Sequence, residues 1–312
     1  MVLFNIAALV AIAASFVSAA VPNSARFDLS KPSYDLFRSK RLHDDTVQQG
    51  FTFDNVNRRL FVSQRRNGAS TTSGDLCITQ LDFSGKEVAH MYLKGFGHGV
   101  SFAAQADGSA TYLWTEVDAN KNGYGQRLAR FKFVPGTTLT KSSSALKKYT
   151  PVAAATEHTC AIDPVHNRLV VRYHLSNGGG KHIAVYDLAA ATRGDFSRPL
   201  ADFKQPLPKT KGKNFQGYAA YGRYLYMLWG DSYDASPGGV LNSEVASVDM
   251  NTGKVVQGPL ITRAGSTLSF REPEGLAIYK TAGGEVRLFM GFASGKTGDR
   301  RANLFYKNAT VA

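Results

Sequence analysis

The feature that most restricts the fold of this chain is an internal repeat. Five segments open with a polar residue and run on through small or apolar ones: Gln49-Gly50-Phe51-Thr52-Phe53-Asp54, His98-Gly99-Val100-Ser101-Phe102, His158-Thr159-Cys160-Ala161-Ile162-Asp163, Gln216-Gly217-Tyr218-Ala219-Ala220 and Glu274-Gly275-Leu276-Ala277-Ile278. Their first residues are 49, 60, 58 and 58 positions apart. A period of that length holds about four strands, which is the unit of a propeller blade. Each opening run is small or apolar on both faces, as expected of a strand packed between others.

A second strand follows a polar turn in every unit, at Arg59-Leu60-Phe61-Val62, Tyr112-Leu113-Trp114, Arg168-Leu169-Val170-Val171, Tyr224-Leu225-Tyr226-Met227 and Arg287-Leu288-Phe289-Met290. Third strands are predicted near 76–83, 128–133, 183–188, 245–250 and 303–306, and fourth strands near 88–93, 146–149, 200–203 and 258–262. The fifth unit runs out of chain after its third strand. Residues 33–41 are predicted to supply the missing one, closing the ring and covering its exposed edges. The reading is therefore all-β, a single five-bladed β-propeller of four-stranded blades. A β-sandwich is the alternative, and it leaves the long period unexplained.

Residues 1–19 read as a secretory signal, with a short apolar run and the small residues Val17, Ser18 and Ala19 at a cleavage point. Residues 20–312 form the propeller domain. No later segment has the ~20 consecutive apolar residues of a transmembrane helix, so the product is expected to be extracellular, without a membrane anchor, and a monomer. The chain carries 37 Lys and Arg against 24 Asp and Glu, a formal charge of +13. That surplus favours acidic partners. For an exported protein these are an anionic polysaccharide or wall teichoic acid, and no nucleic acid is expected. Cys77 and Cys160 fall in nonadjacent blades and are expected not to pair.

The first strand of a blade is the innermost, so Gln49, His98, His158, Gln216 and Glu274 are expected to ring the mouth of the central channel. The loops between second and third strands, 63–74, 115–126, 172–181, 230–243 and 291–301, should wall it. From these, Arg172 is expected to meet an anionic group and Trp229 to stack on a sugar ring. Such a ring suits ligand binding, but it can also be a polar plug in a narrow channel. His98 and His158 with Glu274 are the candidate acid–base groups of a polysaccharide lyase or glycoside hydrolase. The same three residue types can hold a transition metal, although their spacing carries no ligand signature. No cofactor is required by any motif. Asp118-Ala119-Asn120-Lys121-Asn122-Gly123 begins like a calcium loop, which makes Asp118, Asn120 and Asn122 the calcium candidates, yet Ala129 stands where the bidentate Glu belongs. A solvated turn is the alternative.

The segments His43-Asp44-Asp45-Thr46, Gln49 to Val62, Gly74-Asp75-Leu76-Cys77-Ile78-Thr79-Gln80-Leu81 and Gly95-Phe96-Gly97-His98-Gly99-Val100 together resemble secreted proteins labelled teichoic acid biosynthesis protein C. That group is similar to a wider TagC-like β-propeller family that includes receptor-binding heads of staphylococcal phages. The resemblance covers nearly all of the chain beyond the signal. It implies a propeller that recognises a cell-wall glycopolymer, and it transfers no catalytic residues.

Overall fold

The computed structural model describes residues 20–235 and 241–312. The expected signal at 1–19 lies outside these residues. Among the described residues the strands assemble into five large sheets, each of them one of the repeats, and one two-stranded pair. Blade 1 contains Gln48–Asp54, Arg59–Arg65, Leu76–Leu81 and Glu87–Lys94, and blade 2 contains Ala103–Asp107, Ala110–Ala119, Gly125–Lys132 and Lys147–Tyr149. Blade 3 contains Ala155–Asp163, Arg168–Leu175, Gly180–Asp187 and Ala201–Lys204; blade 4 contains Phe215–Tyr221, Tyr224–Trp229, Glu244–Asp249 and Lys254–Ile261. Blade 5 contains Glu272–Lys280, Val286–Lys296 and Asp299–Lys307, completed by Tyr34–Lys40 from the other end of the chain, antiparallel to Asp299–Lys307. The fold and its closure are as the repeat requires.

The similar first turns of blades 1 and 3 have one physical cause. Asp54 accepts the N–H groups of Val56 and Asn57 at 3.1 and 2.9 Å, and Asp163 accepts those of Val165 and His166 at 2.9 and 3.1 Å. Each carboxylate shapes its own hairpin and then reaches the next blade. Asp54 bonds Thr111 of blade 2, and Asp163 accepts the Gly222 N–H of blade 4 at 2.7 Å.

Five buried apolar clusters hold the described residues together, each lying between two adjacent blades. Cys77 and Cys160 are free and buried in blades 1 and 3. Trp229 is 1% exposed and belongs to the cluster between blades 3 and 4. It is a core residue and not the sugar-stacking platform expected.

Three departures from the sequence reading have local reasons. Thr138–Thr140 pairs in parallel with Glu87–Lys94, giving blade 1 a fifth strand that covers its outer edge. The third strand of blade 3 stops at Asp187, whose side chain accepts the Ala190 N–H at 2.8 Å and caps a short helix, Leu188–Arg193. Residues 21–29, left unassigned by the repeat, are built into the ring. Val21 and Phe27 are buried in the clusters on either side of blade 4, and Arg26–Phe27 pairs with Thr310–Val311.

Candidate functional site

At the mouth end, four of the five inner strands carry one residue more than the partner strand. The register slips between Gln48 and Gly50, Thr156 and Thr159, Phe215 and Gly217, and Pro273 and Leu276. A bulge of this kind re-aims a side chain that regular pleating would bury. In blade 2 the corresponding segment, with His98, precedes the strand that begins at Ala103.

The result is a cup of about 670 Å³ at the head of the channel. Gln49, His98, Gln216, Glu274 and Arg172 all line it, so four of the five expected ring residues converge despite their separation in sequence. Its floor is backbone. A Cβ on Gly275 would lie 3.0 Å from Gly50 Cα, and one on Gly217 would lie 2.9 Å from Gly275 Cα. The repeated glycine is thus required by the narrowness of a five-bladed ring, where neighbouring inner strands touch.

His158 does not reach the cup. In blade 3 the extra residue places Glu157 in the left-handed region at φ 54° and turns His158 inward, where it is fully buried. Its Nδ1 donates to the Gln126 carbonyl at 2.7 Å, and burial pushes its pKa down, so the ring is neutral. Glu157 takes its place in the lining, one residue ahead of the sequence alignment.

The wall also differs from expectation. Blades 2, 3 and 5 build it from long hairpins whose strands run on past the expected loop boundaries, to Ala119, Leu175 and Lys296. Arg172 therefore sits on a strand. Residues 236–240 of the expected blade 4 loop lie outside the described residues. The aromatic groups in the cup are Tyr124 and Phe215, both overlooked in the sequence. Tyr124 stacks on His98 at 5.4 Å, and the Arg172 guanidinium lies 4.2 Å from the centre of the Phe215 ring. Tyr124 directly follows the calcium-like pattern, and that turn is the signal that could have found it.

The calcium candidates lie in the blade 2 hairpin of Ala110–Ala119 and Gly125–Lys132. Asp118 is paired with Arg127 and with Lys148 at 2.7 Å, and Asn120 Oδ1 accepts the Asn122 and Tyr124 N–H groups at 2.9 and 3.1 Å. Two cations thus already lie against the Asp118 carboxylate.

The charges are mixed. Arg65, Arg172, Lys181 and Arg300 face the cup from blades 1, 3 and 5. Burial, with the Glu272 carboxyl hydrogen-bonded beside it, pushes Glu274 well above the usual carboxylate range, and burial raises Glu272 as well. Glu116 is pushed up to about 6 by burial. It is also a strap: its oxygens accept the Gly99 N–H at 2.8 Å and the Gly125 N–H, which ties the His98 segment to the blade 2 hairpin. Burial, aided by Arg65, lowers the pKa of His98. Arg172 is 5% exposed and donates from Nε to Gln205 at 2.7 Å, and among the described residues no carboxylate lies within ion-pair distance of it.

A closed five-bladed ring with a polar cup over a backbone floor defines a β-propeller platform. The chain belongs to the family described as the phage 5-bladed beta propeller receptor binding platform domain, whose pattern matches residues 47–306. It is 27% identical over 289 residues to "Putative major teichoic acid biosynthesis protein C" of Bacillus subtilis (strain 168), covering 89% of this chain and 63% of that protein. Among solved structures it is similar to the tail fiber of a Staphylococcus aureus phage, with a TM-score of 0.71 at 19% identity over 90% of this chain and 54% of that one. An alpha-L-arabinofuranosidase from Lactobacillus brevis shares the fold more distantly, with a TM-score of 0.51 at 11% identity over 85% of this chain and 92% of that one. The chain thus spans less than two thirds of the curated relative and about half of the tail fiber. No helix among the described residues is long and apolar enough to cross a membrane.

Proposed function

We propose that this is a secreted glycan-binding propeller whose cup takes a phosphate- or carboxylate-bearing cell-wall glycopolymer, with wall teichoic acid as the first candidate. The observation that carries the reading is Arg172. A guanidinium buried without a carboxylate partner is costly to keep, and one that lines an open cup is suited to receive an anionic group in bidentate fashion. Tyr124 on His98 offers a flat face for a sugar ring beside it. Membership of a receptor-binding family and similarity to a protein named for teichoic acid biosynthesis support the same class of partner. The test is binding of purified wall teichoic acid and of uronic-acid polymers to the protein and to Arg172→Ala, with thermal unfolding measured alongside. Affinity lost in a folded variant supports the reading, and equal affinity in both proteins sinks it.

The second reading is a polysaccharide lyase or hydrolase, favoured by the raised carboxyl pKa values of Glu272 and Glu274 in the cup. Their hydrogen bond brings the pair closer than the ~5 Å or more that separates the two carboxyls of a glycosidase, and His158 is walled off from both. New reducing or unsaturated ends on incubation with these polymers would replace the binding reading with this one.

A further inference from the structure

Away from the cup, three side chains meet on the flank of blade 1. The fourth strand, Glu87–Lys94, pairs with Leu76–Leu81, and the register slips so that Gln80 faces Ala89 while Leu81 faces Glu87. Val88 is the extra residue. In an unbroken strand Glu87 and His90, an odd number of positions apart, point to opposite faces, but the bulge brings them onto one. The third group arrives from far in the chain. His43 lies just beyond the closing strand Tyr34–Lys40, on the segment that leads from blade 5 to blade 1, and its backbone N–H is anchored on Thr79 Oγ1 at 3.2 Å.

His43 Nδ1 and His90 Nδ1 lie 2.8 and 3.3 Å from the same oxygen, Glu87 Oε1, and the three donor atoms all fall within 4.8 Å of one another. The two imidazoles stack at 15° with centroids 3.3 Å apart. That is closer than the ~4.5–7 Å usual for ring pairs. Both Nδ1 atoms thus crowd one carboxylate oxygen from stacked rings. With both nitrogens protonated they crowd a single acceptor, and with both lone pairs exposed they repel the carboxylate. A cation seated among the three ligand atoms, with the imidazoles tilted apart so that each in-plane lone pair meets it, replaces this crowding with attraction to all three.

We propose that His43, His90 and Glu87 bind one divalent transition-metal ion, zinc by preference, with water completing the tetrahedron. Two imidazoles and a carboxylate suit zinc and its neighbours and not calcium or magnesium. The side chains are 28–35% exposed, so the ion has access from solvent. The Tyr92 ring stands edge-on to both imidazoles at 5.9 and 5.5 Å and forms the wall of the site. None of the three ligands lines the cup, so the ion's role is structural. It fastens the segment that closes the ring to the fourth strand of blade 1, and by binding the folded chain alone it stabilises the fold.

The untagged protein, stripped with chelator and exchanged into metal-free buffer, is titrated with zinc chloride by calorimetry; its zinc content is then measured after gel filtration. One zinc per chain is expected, with a Tm that rises on zinc addition. Loss of an outer-shell partner alone weakens metal sites by about 10–100-fold, so His90→Ala and His43→Ala are each expected to lose at least that much affinity and the zinc-dependent rise in Tm. Circular dichroism checks that each variant folds, and His90→Gln on the fourth strand serves if His43→Ala does not. Absence of zinc uptake, or uptake unchanged in the His43→Ala/His90→Ala double variant, overturns the proposal.

Discussion

Glu116 shows how one buried carboxyl can organise the edge of a binding site. A Cβ on Gly97 would lie 2.3 Å from its Cδ, and one on Gly125 would lie 2.4 Å from its Cβ, so both glycines exist to admit it. Replacing it by glutamine sets an amide NH2 against one of the two backbone donors, and Glu116→Gln is expected to cost about 1–3 kcal/mol, read by denaturant unfolding. The two histidines should separate cleanly. His98→Ala removes a half-buried group of the cup and is expected to weaken glycopolymer binding with little change in Tm. His158→Ala deletes a buried hydrogen bond and is expected to lower stability by about 1–3 kcal/mol while leaving affinity unchanged; the opposite pattern would restore His158 to the site. The polar residue ahead of each inner strand was legible in the repeat, because it is tied to the glycine of the floor. Its identity in blade 3 was not, since Thr159 replaces that glycine and a shift of one residue depends on where the backbone turns left-handed.

At the scale of elements, the blades were legible wherever a hairpin carries its own turn chemistry, as Asp54 and Asp163 do. The remaining pieces lack such local signals. Thr138–Thr140 is three residues long and pairs in parallel with a strand of another blade, and residues 21–29 owe their order to the clusters that bury Val21 and Phe27. Phe27 is fully buried, and its N–H donates to the Tyr226 hydroxyl at 2.9 Å. Phe27→Ala is expected to destabilise the protein by about 3–5 kcal/mol through the cavity it leaves. A shift of less than about 1 kcal/mol would mean that the amino-terminal segment is only laid against the ring.

For the whole molecule, the charge of +13 is spread over a surface whose cup mixes cations with carboxyls of raised pKa. Salt should therefore weaken polyanion binding through the outer field. Acid should strengthen it, and the sign follows from the carboxyls. Their folded pKa values lie above the ordinary range, with Glu116 at about 6, so the cup sheds negative charge as pH falls from 7 toward 5. Binding an anion raises those values further, and protons are taken up with the ligand. Affinity for an anionic polymer measured at pH 5 should accordingly exceed that at pH 7, and the reverse order would mean that the polymer lies elsewhere. The ring and its polar mouth were legible from a period of residues, whereas the partner depends on charges that only the folded chain brings together. The most direct measurement is a crystal structure with a purified wall teichoic acid oligomer. The account expects one phosphate bound by the Arg172 guanidinium with a sugar against Tyr124, and an oligomer seated outside the cup would contradict it.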